Sequence, residues 1–286
     1  MTYINPCKLK VLLFLIFFAI MRESCGQSRT YHHPASNSSS YRITGMHTLS
    51  MHTRDTNTVV SIYRFLKDRL KLPVYYTPVT IGARKYAGIY AGNMVLEPCG
   101  PYDNRHYATD DFRAIFYGVN FSVNDSLDYF NEVLNDRNIS HQVNKGSIYI
   151  RDSLLSHENI FTALYEIQDK NNRDSLRHRL NSSADGPGIE YISEIEIGYG
   201  NEINLLKWKE YLAPLEFEHD VCRINNSLQI RFERDKINEV RSITFKVKSL
   251  NKARQYFKDN SIKFCDSVKL IRLDPDEVFG LTVLIE

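Results

Sequence analysis

The sequence predicts an α+β protein in which four βαβββ modules pair into two lobes, with curved mixed sheets and the helices outside. Two observations carry this expectation. Apolar residues recur at positions i, i+3 and i+7 in four windows: Val59/Ile62/Leu66, Leu127/Phe130/Leu134, Leu205/Trp208/Leu212 and Leu250/Ala253/Phe257. Each trio forms one stripe of a helix and so has a face to bury. After each window, strand-like segments close on an acid, at Glu97, Glu166, Glu233 and Glu286. The spacing from helix to closing Glu is alike in three modules and shorter in the third.

From the N-terminus, Lys8 and Lys10 precede an uncharged apolar run over residues 11–21. A membrane span takes ~20 residues, so this shorter run matches the core of a secretory signal. Residues 1–25 are therefore expected to direct export. Cys25, followed by Gly26, is similar to the lipidated Cys of a bacterial lipoprotein, although Arg22 stands where such signals carry Leu. Residues 26–42, rich in Ser, His and Asn, read as a flexible tether.

The first module opens on the strand-like run 46–55. Asp55 places a short oxygen-bearing side chain at the start of the first helix, as Asp125 and Ser249 do for the second and fourth. One module is too small to bury a core alone, so modules one and two form a first lobe, 43–169, and modules three and four a second, 190–286. Between them, residues 170–189 read as a linker bracketed by polar and Gly/Pro-containing segments. Its basic run, 173–179, reads as a solvated helix or linker face.

The 286 residues, 43% hydrophobic and 12% aromatic, can supply two cores. Lys+Arg 36 against Asp+Glu 34 leaves a net charge of only +2 with no one-sign block, which excludes nucleic acid as the expected partner. Membrane contact is expected only through the signal or a lipid anchor. Walker, dinucleotide and Gly-x-Ser-x-Gly motifs are absent from the sequence. Cys222 and Cys265 both fall in the second lobe, where a bridge and two separate thiols remain open alternatives.

With the run 46–55 opening on a His and closing on an acid, Leu72-Pro73-Val74 after the first helix and 91–97 closing the module, the pattern resembles the vicinal oxygen chelate superfamily. This is the glyoxalase, bleomycin-resistance and extradiol-dioxygenase group. The resemblance covers nearly all of the chain after residue 42. It implies sheets curled around a cleft, with a metal held by residues on the first and last strands of each module. Carried over, it points to His47 and Glu97 in module one and Glu166 in module two, with Glu166 also the expected catalytic residue. One imidazole and two carboxylates suit divalent Fe, Mn, Ni or Zn polarising an oxygenated substrate. A fourth ligand is expected on the first strand of module two, but 116–121 offers no His, Gln or Glu. His52 and His106 are the replacements to consider.

Plainer readings stand beside these. A Glu is a common way to end a strand at solvent, and His47, on a face with Leu49 and Met51, also reads as a hydrogen-bonded interior His. Tyr75, Tyr76, Tyr86 and Tyr90 line either the cleft or the outer face of the first sheet. In the second lobe Glu194 or Glu196 with Glu233 and Glu286 lack any His and read as structural. Two function classes follow. One is a metal-dependent lyase, isomerase or dioxygenase; the other is an exported protein that binds a small molecule in the same cleft without turnover. His47 with Glu97 favours the first, and the missing fourth ligand with export favours the second.

Overall fold

The structure, a computed structural model, describes residues 43–102, 113–124, 126–156, 159–167, 169–183 and 185–286. The expected signal, the tether, Cys25, Asp125 and His106 lie outside the described residues.

The pattern strand, helix, three strands occurs four times. The first comprises β1 (Ile43–Thr53), α1 (Thr56–Arg64), β2 (Val74–Ile81), β3 (Arg84–Tyr90) and β4 (Val95–Gly100). The second comprises β5 (Ala114–Val123), α2 (Leu127–Asp136), β6 (His141–Asn144), β7 (Ser147–Ile150) and β8 (Phe161–Glu166). After α3 (Lys170–Ser182) come β9 (Ile189–Tyr199), α4 (Glu202–Leu212), β10 (Phe217–Glu218), β11 (Val221–Asn225) and β12 (Leu228–Arg234). The last is β13 (Glu239–Val247), α5 (Leu250–Asp259), β14 (Phe264–Asp266), β15 (Ile271–Leu273) and β16 (Val283–Ile285).

The helices form where apolar stripes are spaced to be buried together: Val59, Ile62 and Leu66 are buried, as are Phe130, Leu134, Trp208, Leu212 and Phe257. Leu66 sits in a widened turn after α1, in which Leu70 N donates to Phe65 O at 3.0 Å. Asp55 accepts from Thr58 N at 2.8 Å and Ser249 caps α5. The cap of α2 is Ser126, one residue beyond the Asp125 expected from sequence, and Asn201 caps α4.

Within each module the first and last strands run parallel: β1 with β4, β5 with β8, β9 with β12 and β13 with β16. Modules then join through their first strands, antiparallel, β1 to β5 and β9 to β13. The first half-sheet has the order β2-β3-β4-β1-β5-β8-β7-β6, and Val240 meets Phe116 where the second half-sheet adjoins it. The sheet is curved and does not close. The third module is the short one, with two residues in β10.

The halves share one core, a continuous cluster of buried side chains running from Ile43 to Ile285. Polar contacts fasten the same seam. Arg137, just past α2, donates to Glu210 O and Ala213 O at 2.9 Å each and so satisfies carbonyls at the end of α4. The Tyr256 hydroxyl on α5 donates to Arg69 O at 2.7 Å. The stretch 170–189, expected to be a linker, holds the 13-residue helix α3, whose Leu176 packs with Tyr90 and Val95. Cys222 is buried and Cys265 exposed, both are free, and no bridge joins them.

Candidate functional site

Strand periodicity decides which side chains reach the cleft. Leu49 and Met51 on β1 are buried in the core, so Ser50 between them, with Thr48 and His52 on either side, faces the other way. Ser50 pairs with Glu97 on β4 and with Gly118 on β5; Thr48 pairs with Asn120, which pairs in turn with Ala163 on β8. The first and last strands of the first two modules thus bring Ser50, Glu97, Asn120 and Ala163 to the centre of the cleft face.

Glu97 is the only acid in that group. Its carboxylate accepts from the Tyr76 hydroxyl at 2.6 Å and from Ser50 Oγ at 3.3 Å, and Asn120 Nδ2 donates to Ser50 Oγ at 3.4 Å. Burial raises the Glu97 pKa above the ordinary carboxylate range against the lowering by Tyr76 and Ser50, and burial together with Glu97 pushes Tyr76 well up. The pair therefore favours the form in which a proton stays between carboxyl and phenol. Tyr86 also belongs to this side, whereas Tyr75 bonds Asp169 at 3.1 Å and Tyr90 packs on α3. Tyr90, four residues from Tyr86 on the unbroken β3–β4 ladder, shares its face and is covered there by Leu176 of α3, with Tyr75 packed beside it.

His47 falls in an irregularity of β1: Met46 pairs with Phe121 and Thr48 with the adjacent Asn120, so His47 is an extra residue in the ladder. It is therefore displaced from the face of Leu49 and Met51 that the unbroken alternation assigned to it. Its Nδ1 lies 2.7 Å from Thr48 Oγ1 and its ring stacks on Tyr165 at 4.9 Å. Burial, then the charge of Arg173, holds its pKa down to about 3. His52 is sandwiched between Tyr102 and Tyr117 at 3.4 and 3.7 Å, and burial, then Arg84, lowers its pKa to about 2.

Glu166 is elsewhere. Ala163 and Tyr165 take the inward positions of β8, so Glu166 turns out and its Oε1 accepts from Leu127 N, the first residue of α2, at 3.3 Å. The expected set of His47, Glu97 and Glu166 is not assembled, and among the described residues no three His, Cys, Asp or Glu side chains could hold one metal ion. A fourth ligand at 118 meets a steric limit as well. A Cβ there would stand 2.9 Å from Ser50 Cβ and Oγ. The donors present, one carboxylate with Ser and Asn, do not fit a transition-metal centre.

In the second half, register puts Arg231 against Glu196 where the first half has Glu97 against Ser50. Arg231 instead reaches Glu194, at 2.9 and 3.1 Å, and Gln229 adds a bond to it at 2.6 Å. Arg241 holds Glu196 at 3.2 Å and Glu233 at 2.8 Å, while Glu286 accepts from Ser193 at 2.8 Å. These acids are matched by arginines and hydroxyls, in keeping with a structural role.

The half-buried His47 and the buried His52 make acid stability a test of this geometry. Both stay neutral in the folded chain, while the unfolded chain takes up protons below its ordinary His value of 6.5. Stability is thus complete above that pH and is lost as pH falls from 6.5 towards 3, each histidine costing about 1.4 kcal/mol per pH unit. Glu97, with its raised value, works in the opposite sense as pH falls towards 4.5. Urea unfolding at pH 7, 6 and 5 should show falling stability, and His52→Phe, which keeps the ring stack, should flatten the slope by about one proton. A slope unchanged by His52→Phe would contradict the buried neutral imidazole.

No family model and no curated protein matches the sequence. Solved structures do match in shape. A mutant of 4-hydroxymandelate synthase from Streptomyces coelicolor aligns at TM-score 0.59 with 9% identity, over 85% of this chain and 91% of that one. The Mn(II)-bound glyoxalase from Novosphingobium aromaticivorans aligns at 0.55 with 11% identity, over 86% and 82%. A single-residue variant of homoprotocatechuate 2,3-dioxygenase from B. fuscum aligns at 0.55 with 13% identity, over 86% and 72%. All three belong to the vicinal oxygen chelate superfamily, and at these identities the likeness is one of architecture: the chain carries the vicinal oxygen chelate fold.

Proposed function

We propose that the protein is an exported binding protein that uses a glyoxalase/dioxygenase-like fold to hold a small oxygenated molecule, without a resident transition metal. The observation that supports this most is the composition of the cleft centre, where Glu97 is a lone carboxylate tied to the neutral hydroxyls of Tyr76 and Ser50. Such a group accepts a hydrogen bond from a bound hydroxyl, and the aromatic rings of Tyr117, Phe161 and Tyr165 lie on the same face. Export rests on the signal-like residues 1–25, with Cys25 as the first residue of the mature chain or its lipid anchor. Mass spectrometry that found an intact Met1 on the native protein would overturn that part. The division into lobes 43–169 and 190–286 is part of the same proposal.

Homoprotocatechuate and 4-hydroxymandelate, the compounds for which two of the structural neighbours are named, serve as probes. Calorimetric titration of the full chain should give saturable binding that is the same before and after EDTA treatment. A metal-dependent lyase, isomerase or dioxygenase is the second reading, favoured by the Mn(II)-bound glyoxalase among the neighbours. Binding lost in EDTA and restored by Mn(II) would establish it and overturn the metal-free reading. Absence of any binding would overturn the assignment of this cleft as the ligand site.

A further inference from the structure

Away from the cleft centre, an open recess of about 780 Å³ lies where α3 crosses the ends of β1, β5 and β8. Lys170, Arg173 and Arg177, at i, i+3 and i+7, present one face of α3 to it. Arg173 is buried, only 9% exposed, and its Nη2 donates to His47 O at 3.1 Å. Arg177 Nε donates to Gly92 O at 3.2 Å. Among the described residues neither arginine forms an ion pair with a carboxylate; the oxygens they meet are the carbonyls of His47 and Gly92. Arg173 also bonds the Tyr75 hydroxyl and lies 5.9 Å from its ring, while Arg177 is exposed. The buried Arg173 guanidinium, bonded to neutral groups alone, keeps its charge uncompensated, which is costly unless an anion arrives.

A second observation points the same way. Ser122 lines the recess, is 1% exposed, and its Oγ has no hydrogen-bond partner among the described residues. Buried hydroxyls are rarely left so, and an acceptor oxygen entering the recess would satisfy it. Two acids also line the recess, Glu166 and Asp174, but Glu166 is already engaged by the amide at the start of α2.

We propose that this recess binds a compact oxyanion, a carboxylate or a phosphate, with Arg173 and Arg177 as its cationic clamp and Ser122 as a hydroxyl donor. The inference does not depend on the cleft of Glu97, and because the aromatic probes are also carboxylates, Arg177→Gln, which lies outside that cleft, separates binding here from binding there.

The test is calorimetric titration of the full chain with inorganic phosphate and, separately, with succinate, so that the arms distinguish phosphate from carboxylate chemistry. One probe should saturate below ~10 mM, and its affinity should fall several-fold on raising salt, because Arg177 is exposed and the recess is open to screening ions. Arg177→Gln and Ser122→Ala should each weaken binding, by about 10-fold and about 3-fold, in chains that melt within a few degrees of the parent. Arg173→Gln should abolish it. Because Arg173 also holds the His47 carbonyl, Arg177→Gln and Ser122→Ala carry the argument if that variant fails to fold. Failure of both probes to saturate, or affinity untouched by Arg177→Gln and Ser122→Ala, would overturn the proposal.

Discussion

Gly92→Ala is expected to lower unfolding stability by about 4 kcal/mol, the sum of left-handed backbone strain and lost seam contacts. Gly92 has φ +88°, and a Cβ there would lie 1.9 Å from Glu190 O and 2.8 Å from Tyr191 Cα, both backbone atoms of β9. Backbone cannot step aside as a side chain can, so the loop between β3 and β4 must lift from the second half. The lift takes with it the paired bonds of Asn93, which donates to Ile192 O at 2.8 Å and accepts from Ile192 N at 3.1 Å. Gly82→Ala is the control. With φ +60° and nothing within 4 Å of its Cβ, it should cost only about 1–2 kcal/mol. Equal losses for the two variants in urea unfolding would show that β9 does not press on Gly92.

Trp208→Ala should be comparably severe, about 3–5 kcal/mol, because a large core side chain is removed and the cavity collapses only partly. Trp208 is fully buried on α4, with ring centroids 5.5 Å from Phe232 and 6.0 Å from Tyr211, which itself meets Phe121 of the first half at 5.8 Å. The loss should appear as one cooperative transition for both halves, since they share a core. Circular dichroism is the appropriate probe, as Trp208 is the single tryptophan. Two separated transitions would contradict the shared core.

Helices were legible because their signal is local. The stripe of Leu127, Phe130 and Leu134 needs only the 3.6-residue period to be recognised, and Asp55 and Ser249 announce their helices by side-chain chemistry alone. α3 escaped because two leucines, Leu176 and Leu180, are all the apolar signal it carries among polar residues. The site was read less well, and for a geometric reason. Glu97 and Glu166 occupy like places in their modules by count, yet strand facing has period two, and a shift of one residue turns Glu97 inward and Glu166 outward. The buried alternation of Thr162 and Leu164 with Ala163 and Tyr165 between them held that information. The extra residue at His47 did not announce itself, since a bulge depends on the partner strand. Nor could Arg231 be seen to stand where Glu97 does, because equivalence there follows from register.

At Ser50, Glu97, Asn120 and Ala163 the cleft carries too few donors for a transition metal. The most direct test is a Mn(II) titration followed by electron paramagnetic resonance, on the full chain and on the double variant Ser50→His with Ala163→Glu, which supplies one imidazole and a second carboxylate beside Glu97. The unaltered chain should leave the free Mn(II) signal undiminished at equimolar metal, while the double variant should remove it with a stoichiometry of about one. Stoichiometric uptake by the unaltered chain, abolished by Glu97→Gln, would contradict the metal-free reading.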